Sequence, residues 1–388
     1  MGFDVTCAVP RSGRTLHNFL GKLKTLAGNS EEIDQILQIS TQSKRNSSTQ
    51  LKDVLQYLSS LPPETPDCFS VFVDRKRNAR PYRLGFLGYE WNVGGVKLRV
   101  EGEEPHNGSS LIKLDEVDFT VVGLDELLSM SQYYLKDPTQ VTKWGMYNYH
   151  LDKPTGMRIA GSAMLTTYSS LLKKDVQDMV GFFLISKPDS HRGYALDLKK
   201  LSSSGQRVFV KGRYTGIVTA AYPGLKITSV EDVEDAVLES EKGGVGLEIV
   251  QSGNTLRKKS LVLHGAPLFL SESLYVVDYD RFVACKPLKK TLEYLDPIGY
   301  FDERRIKHFA RWYFALEKNL GDHWLHRPSA SEMFCTPTDP EHGLRPYRLK
   351  TRSWKPDDLY QRDAASELIQ KAEEQLMFHY EQLKLEFS

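Results

Sequence analysis

The stretch GLEIVQSGNTLRKK, residues 246–259, places Ser252, Gly253, Asn254 and Thr255 between an apolar run and a basic one. Two readings of these small residues are open. Glycine lacks the Cβ that holds a ligand off the chain, so backbone N–H groups and hydroxyls in such a loop can close around a phosphate. The same residues also suit a plain strand-to-helix turn with Ser or Thr as its cap. On either reading the stretch is a βα junction.

Outward from it, the same grammar recurs. DVTCAVP (4–10) reads as a short buried strand, RSG as a turn and TLHNFLGKLKTLA (15–27) as an amphipathic helix. VDFTVVGLDELLSMSQYY (117–134) reads as strand, tight glycine turn and helix, and GQRVFVKGRYTGIVTAAY (205–222) as a strand running into a helix. LKDVLQYLSSL (51–61) has helical spacing and stops at PPETPD, and CFSVFVDRKRNARPYRLGFLGYEW (68–91) gives a strand, a basic loop and a second strand. Strands alternating with helices predict an α/β architecture with parallel-rich sheets. Residues 128–180 read as a loop-rich insertion. After residue 300 the character changes to helix, with Leu368, Ala372, Leu376 and Leu383 on one stripe of the last segment.

The chain has 388 residues, of which 40% are hydrophobic and 26% charged, a composition that supports more than one folded domain with a sizeable core. Lys plus Arg number 51 against 50 acidic residues, so a basic cluster serves a local site; no nucleic-acid track and no membrane attraction is expected. Cys7, Cys68, Cys285 and Cys335 are far apart and unpaired in spacing, which argues against a zinc knuckle or a disulfide scaffold and for a reducing compartment. With no long apolar run, a cytoplasmic protein is expected.

Ligands of α/β sheets bind outside the carboxyl ends of the strands, and three further junctions carry polar residues there. AVPRSGR sets Arg11, Gly13 and Arg14 directly after a strand, where guanidinium groups can grip a polyphosphate; a solvated turn is the alternative. Gly123 and Asp125 follow the strand of DFTVVG, with helix capping the simpler role for Asp125. Arg75, Lys76, Arg77, Arg80 and Arg83 crowd one short loop, an arrangement that an anion relieves. His323 and His326 in HWLH lack a third ligand, and Trp324 between them points to packing. Neither a GxxxxGK[ST] nor a GxGxxG motif occurs, and no G-x-S-x-G elbow surrounds Ser252.

In order along the chain, these junctions resemble the catalytic part of the ATP phosphoribosyltransferases. AVPRSGRTL is similar to that family's A-[IV]-P-K-G-R-L opening, VDFTVVGLDEL to its D-L-G-I-T-G-x-D-x-[VL] turn, and GLEIVQSGNTLRKKSL to its V-D-[LIV]-V-x-[ST]-G-x-T-L-R signature. The match runs over roughly residues 4–280 and is strongest from Glu248 to Leu261. The resemblance implies a two-lobed fold like the type II periplasmic binding proteins. Residues 1–180 with 265–300 would form the first lobe, with insertions at about 28–70 and 128–180. Residues 181–264 would form the second lobe, and 301–388 a mainly helical C-terminal extension.

The resemblance also implies roles. Ser252, Gly253, Asn254, Thr255 and Leu256 would hold the 5-phosphate of phosphoribosyl pyrophosphate, with donors from the loop and the following helix start. Glu248 stands at the family's Asp position and would orient the ribose. Arg11, Gly13 and Arg14, with Arg75, Lys76, Gly123 and Asp125, would line the purine nucleotide and pyrophosphate side. Mg²⁺ is the implied cofactor, ATP or another purine nucleotide the acceptor, and a homo-oligomer the expected assembly. The sequence departs from the family at Gly244, where an acidic residue is usual, and its Gly-Ser-Val-Glu motif is only loosely echoed around Glu234 and Asp235.

Overall fold

The computed structural model describes residues 3–27, 30–43, 46–63, 67–73, 80–104, 112, 116–131, 150–151, 157–163, 179–188, 190, 196–222, 224–241, 243–268, 270–295, 303–335 and 362–387. In chain order the strands are β1 (Val5–Pro10), β2 (Phe69–Val73), β3 (Tyr82–Phe86), β4 (Gly88–Val93), β5 (Val96–Glu103), β6 (Phe119–Gly123), β7 (His150–Leu151) and β8 (Met157–Ser162). They continue as β9 (Val180–Ser186), β10 (Arg207–Lys211), β11 (Lys226–Val230), β12 (Val245–Val250), β13 (Val262–His264), β14 (Leu270–Ser271), β15 (Ser273–Asp278) and β16 (Trp324–Leu325).

The chain divides into two compact units: Met1–Glu126 with Gly156–Asp178 and Ser273–Pro297, and Leu127–Thr155 with Met179–Glu272 and Ile298–Ser388. Each unit is built on its own α/β sheet, so the α/β class read from the alternating elements is what the chain adopts. Among the described residues no helix is long and apolar enough to cross a membrane.

In the first unit the sheet runs β4–β5–β1–β6–β15–β8. β1 pairs in parallel with both β5 and β6, and this places the ends of all three on one edge. β15 returns antiparallel to β6 and β8. The strand β8 lies inside the segment expected to be a loop-rich insertion. Its short run MRIAGS gave no alternation to read, and its strand character comes from pairing with a partner more than a hundred residues away. Helix Arg14–Ala27 buries Leu16, Phe19, Leu20 and Leu23, one face at helical spacing, in the same core as Cys7 and Val9 of β1.

The second unit's sheet runs β11–β10–β12–β9–β13–β16. β10 is parallel to β11 and to β12, while β9 crosses antiparallel between β12 and β13. Gly246 admits helix Val233–Glu239 close to β12, since a Cβ there would meet Val233 at 2.5 Å and Val237 at 2.9 Å. The helix Glu303–Leu320, from the segment expected as a helical C-terminal extension, packs into this unit. Phe309, Trp312, Tyr313, Leu316 and Leu320 are buried on one face, and Tyr313 and Phe183 both meet the Trp324 ring, at 5.5 and 5.7 Å. Leu376, Tyr380 and Leu383 of the last helix are buried as well, whereas the side chains of Leu368 and Ala372 lie outside the described residues.

Candidate functional site

Because β10, β11 and β12 run in parallel, their carboxyl ends share one edge of the second unit's sheet. β10 ends at Lys211, β11 leads through Asp232 into helix Val233–Glu239, and β12 ends in the loop Gln251–Gly253. Asp232 caps that helix by accepting a hydrogen bond from Asp235 N at 2.8 Å, which fixes the first turn carrying Glu234. Lys259 Nζ stands 2.7 Å from Asp235, 3.3 Å from Asp232 and 3.9 Å from Glu234.

Glu248 lies on β12, where its Oε1 accepts from Ile249 N at 2.9 Å. Burial pushes its carboxyl up to about 7, and the Glu234 carboxylate adds to that push; the Ile249 amide and Lys211 oppose it. Glu234 is itself raised, by burial and by Asp232, against the pull of Lys259. Two carboxyl groups, both raised, thus lie toward the sheet edge where the loop Gln251–Gly253 begins. Glu234, which the sequence offered only as a loose echo of a family motif, is the residue whose role the fold sharpens. Asp232 followed three residues later by an acid is the local pattern that could have located this helix start.

The loop itself is held from one side by helix Glu303–Leu320. Trp312 Nε1 donates to Gln251 O at 2.9 Å, and Asn319 Nδ2 donates to Ser252 O at 2.5 Å and to Asn254 Oδ1 at 3.0 Å. Gly253 has φ +70°, and a Cβ there would meet Leu320 Cδ2 at 2.7 Å and Cγ at 2.8 Å. Its glycine is therefore required by the backbone and by Leu320, whether or not a ligand approaches. Ser252 is half-buried, Asn254 and Thr255 are exposed and Leu256 is buried. Arg257 N bonds Gly253 O at 3.0 Å, the first helical bond of the turn; of the amides just ahead of it, which have no intrahelical acceptor, that of Asn254 donates to Ser252 Oγ at 3.5 Å.

The acidic residue usual at that position in the resembling family would be crowded at Gly244: a Cβ would lie 2.7 Å from Ser240 Cβ and 3.0 Å from Phe209 Cε2. His323 Nδ1 pairs with Leu261 O at 3.1 Å, in keeping with a packing role for HWLH. Among the described residues no three His, Cys, Asp or Glu side chains gather as a metal set.

In the first unit, the ends of β1, β5 and β6 bring Arg11, Gly13, Gly123 and Asp125 to one edge. Arg11 is already engaged there, its guanidinium 2.9 Å from Glu103 and 3.7 Å from Glu104. Arg83, read in the sequence only as one charge of a basic run, is buried beside it, with NH2 3.4 Å from Ser12 Oγ. Both guanidinium groups lie over the Phe72 ring, at 5.5 and 5.4 Å. Gly13 has φ +100°, with no atom within 4 Å of where a Cβ would stand. Arg14 opens the first helix, though its side chain lies outside the described residues, as do Arg75 and Lys76. Asp125 is in the first turn of helix Leu124–Ser131.

No family model and no curated protein matches the chain. Solved structures similar to it include the ATP phosphoribosyl transferase complex of Thermotoga maritima, at 10% identity over 74% of this chain and 98% of that one, with a TM-score of 0.34. YhfZ from Shigella flexneri is similar at 10% identity over 75% and 91% of the two chains, TM-score 0.31. The solute receptor for L-cysteine of Neisseria gonorrhoeae is similar at 10% identity over 58% and 74%, TM-score 0.31. Superpositions this loose assign no reaction.

Proposed function

We propose that the chain transfers phosphoribose from phosphoribosyl pyrophosphate to N1 of the adenine of ATP or a related purine nucleotide, releasing pyrophosphate. The observation that carries this reading is the gathering of Glu248, Glu234 and the loop Ser252–Thr255 at one edge of the second unit's sheet. In the reaction the N1 lone pair bonds to the anomeric carbon, the carbon–oxygen bond to pyrophosphate breaks, and its electron pair leaves with the pyrophosphate. The ring passes through a cationic, oxocarbenium-like state, which a carboxylate at Glu248 stabilises while accepting from ribose hydroxyls. The loop amides and hydroxyls hold the 5-phosphate, so the ring is presented in one orientation, and no protein nucleophile is needed. Mg²⁺ belongs to this proposal as part of the pyrophosphate-bearing substrate. The purine nucleotide is assigned to the strand ends of the first unit, with Gly13, Arg14, Gly123 and Asp125. A homo-oligomeric assembly and a cytoplasmic site of action belong to the same proposal.

Incubation of the chain with phosphoribosyl pyrophosphate, Mg²⁺ and each purine nucleotide in turn tests it, with pyrophosphate and the N1 adduct as products. One observation favours a second reading, a ligand-binding or regulatory subunit without turnover: Arg11, expected on the leaving pyrophosphate, is held by Glu103 and Glu104. Tight binding of phosphoribosyl pyrophosphate with no release of pyrophosphate for any acceptor would select that reading.

A further inference from the structure

The residues that hold the loop are not in the loop. Gln251 O accepts from the Trp312 indole at 2.9 Å and Ser252 O from Asn319 Nδ2 at 2.5 Å, so two consecutive carbonyls point at helix Glu303–Leu320. No peptide bond among the described residues is cis. In a planar trans peptide the N–H of the next residue points opposite to the carbonyl. The amides of Ser252 and Gly253 are therefore both aimed away from the helix side chains that hold those carbonyls. Successive amides aimed to one side are the donor arrangement that holds an anion.

Asn319 does more than accept a packing place. Its Nδ2 also donates to Asn254 Oδ1 at 3.0 Å, and its Oδ1 accepts from Arg257 at 3.3 Å. One amide side chain thereby ties both ends of the loop, Ser252 and Asn254, to the start of the following helix. The positive φ of Gly253, closed over by Leu320, removes the remaining freedom of the turn.

We propose that Asn319 and Trp312 are positioning residues for the phosphate loop, which makes the helix Glu303–Leu320 an integral part of that site rather than an appended element. This inference rests on the phosphate-loop reading above. Two variants test it on the full chain. Asn319→Asp keeps the shape and the acceptor for Arg257, but removes the donor and sets a carboxylate against Ser252 O. Trp312→Phe keeps an aromatic ring in the core and removes the indole N–H along with the volume of the second ring. Each is titrated calorimetrically with phosphoribosyl pyrophosphate and with ATP, and its thermal unfolding is recorded; Asn319→Gln, which retains the amide donor, is the rescue control.

The expected result is a rise of about 10-fold in Kd for phosphoribosyl pyrophosphate in Asn319→Asp, the size of one charge-assisted hydrogen bond. A smaller rise is expected in Trp312→Phe, partial recovery in Asn319→Gln, and little change in Kd for ATP. A role confined to packing would lower the unfolding temperature and leave that Kd alone. Wild-type binding that neither variant weakens overturns the inference and spares the phosphate-loop reading. Failure of the wild-type chain to bind phosphoribosyl pyrophosphate overturns both. If Trp312→Phe unfolds, the half-buried Asn319→Asp decides the matter.

Discussion

Replacing Glu248 by Gln removes one ionisable proton from the edge of the second unit's sheet and changes little else, because the amide oxygen can still accept from Ile249 N. In the folded chain burial and the Glu234 carboxylate raise the Glu248 carboxyl from 4.5 to about 7. Below pH 4.5 the group is protonated in folded and unfolded chains alike and costs nothing. As pH rises from there the unfolded chain releases its proton first, so folding stability falls, and the loss is complete once pH passes about 7. At ~1.4 kcal/mol per decade of proton affinity, and discounting for water that reaches a half-buried side chain, the loss is on the order of 2–3 kcal/mol. Urea denaturation at pH 5, 6, 7 and 8 should find the two proteins close in stability at pH 5 and the Gln variant ahead by about that amount at pH 8. If the reaction needs the carboxylate, wild-type kcat/KM should climb through the same pH region while the Gln variant stays low throughout. A stability gap that does not grow with pH would refute the argument that burial and Glu234 hold this proton.

Gly253→Ala should cost about 1–2 kcal/mol for the left-handed backbone, plus the contact with Leu320. In a thermal-unfolding cycle with Leu320→Ala the double variant should lose less than the sum of the singles, because shortening Leu320 vacates the space that the new methyl needs. Gly244→Asp should lose about 1–3 kcal/mol in the same assay through overpacking against Ser240 and Phe209, and should not increase pyrophosphate release.

The βα junctions were legible because each combines a short apolar run, a small-residue turn and a helical repeat within twenty residues. DVTCAVP with its helix, VDFTVVG with its helix and the run into QSGNTL all form as read. What could not be read is the part fixed by distant partners. β8 is a strand because β15 pairs with it, and the docking of Trp312 and Asn319 onto Gln251 and Ser252 leaves no local periodic signal. Gly253 shows the difference most sharply. Its need for a positive φ follows from the turn, but the neighbour that forbids a Cβ is Leu320, 67 residues on and on another element. Arg11 likewise read as a grip for a polyphosphate or as part of a solvated turn, because its partners Glu103 and Glu104 come from the end of β5, which pairing brings alongside.

The departure at Gly244 has a physical account that bears on the chemistry. Position 244 precedes β12 and faces Ser240 and Phe209, so a carboxylate there would be forced into packed side chains. A carboxylate at the exit of β11, one strand beyond β10, is placed differently. Asp232 caps the helix that follows β11, its first turn presents Glu234, and Gly246 lets that helix lie close to the strand bearing Glu248. The second negative charge is thus supplied from the helix after β11, on the far side of β10, instead of from the segment leading into β12 itself. Its cost is mutual repulsion with Glu248, which Lys211 and Lys259 reduce without cancelling. A site left with excess negative charge favours a ligand that develops positive charge over one that merely carries phosphate. In the proposed reaction the phosphate would be held by the Ser252 and Gly253 amides, whose peptide carbonyls are fixed from behind by Trp312 and Asn319.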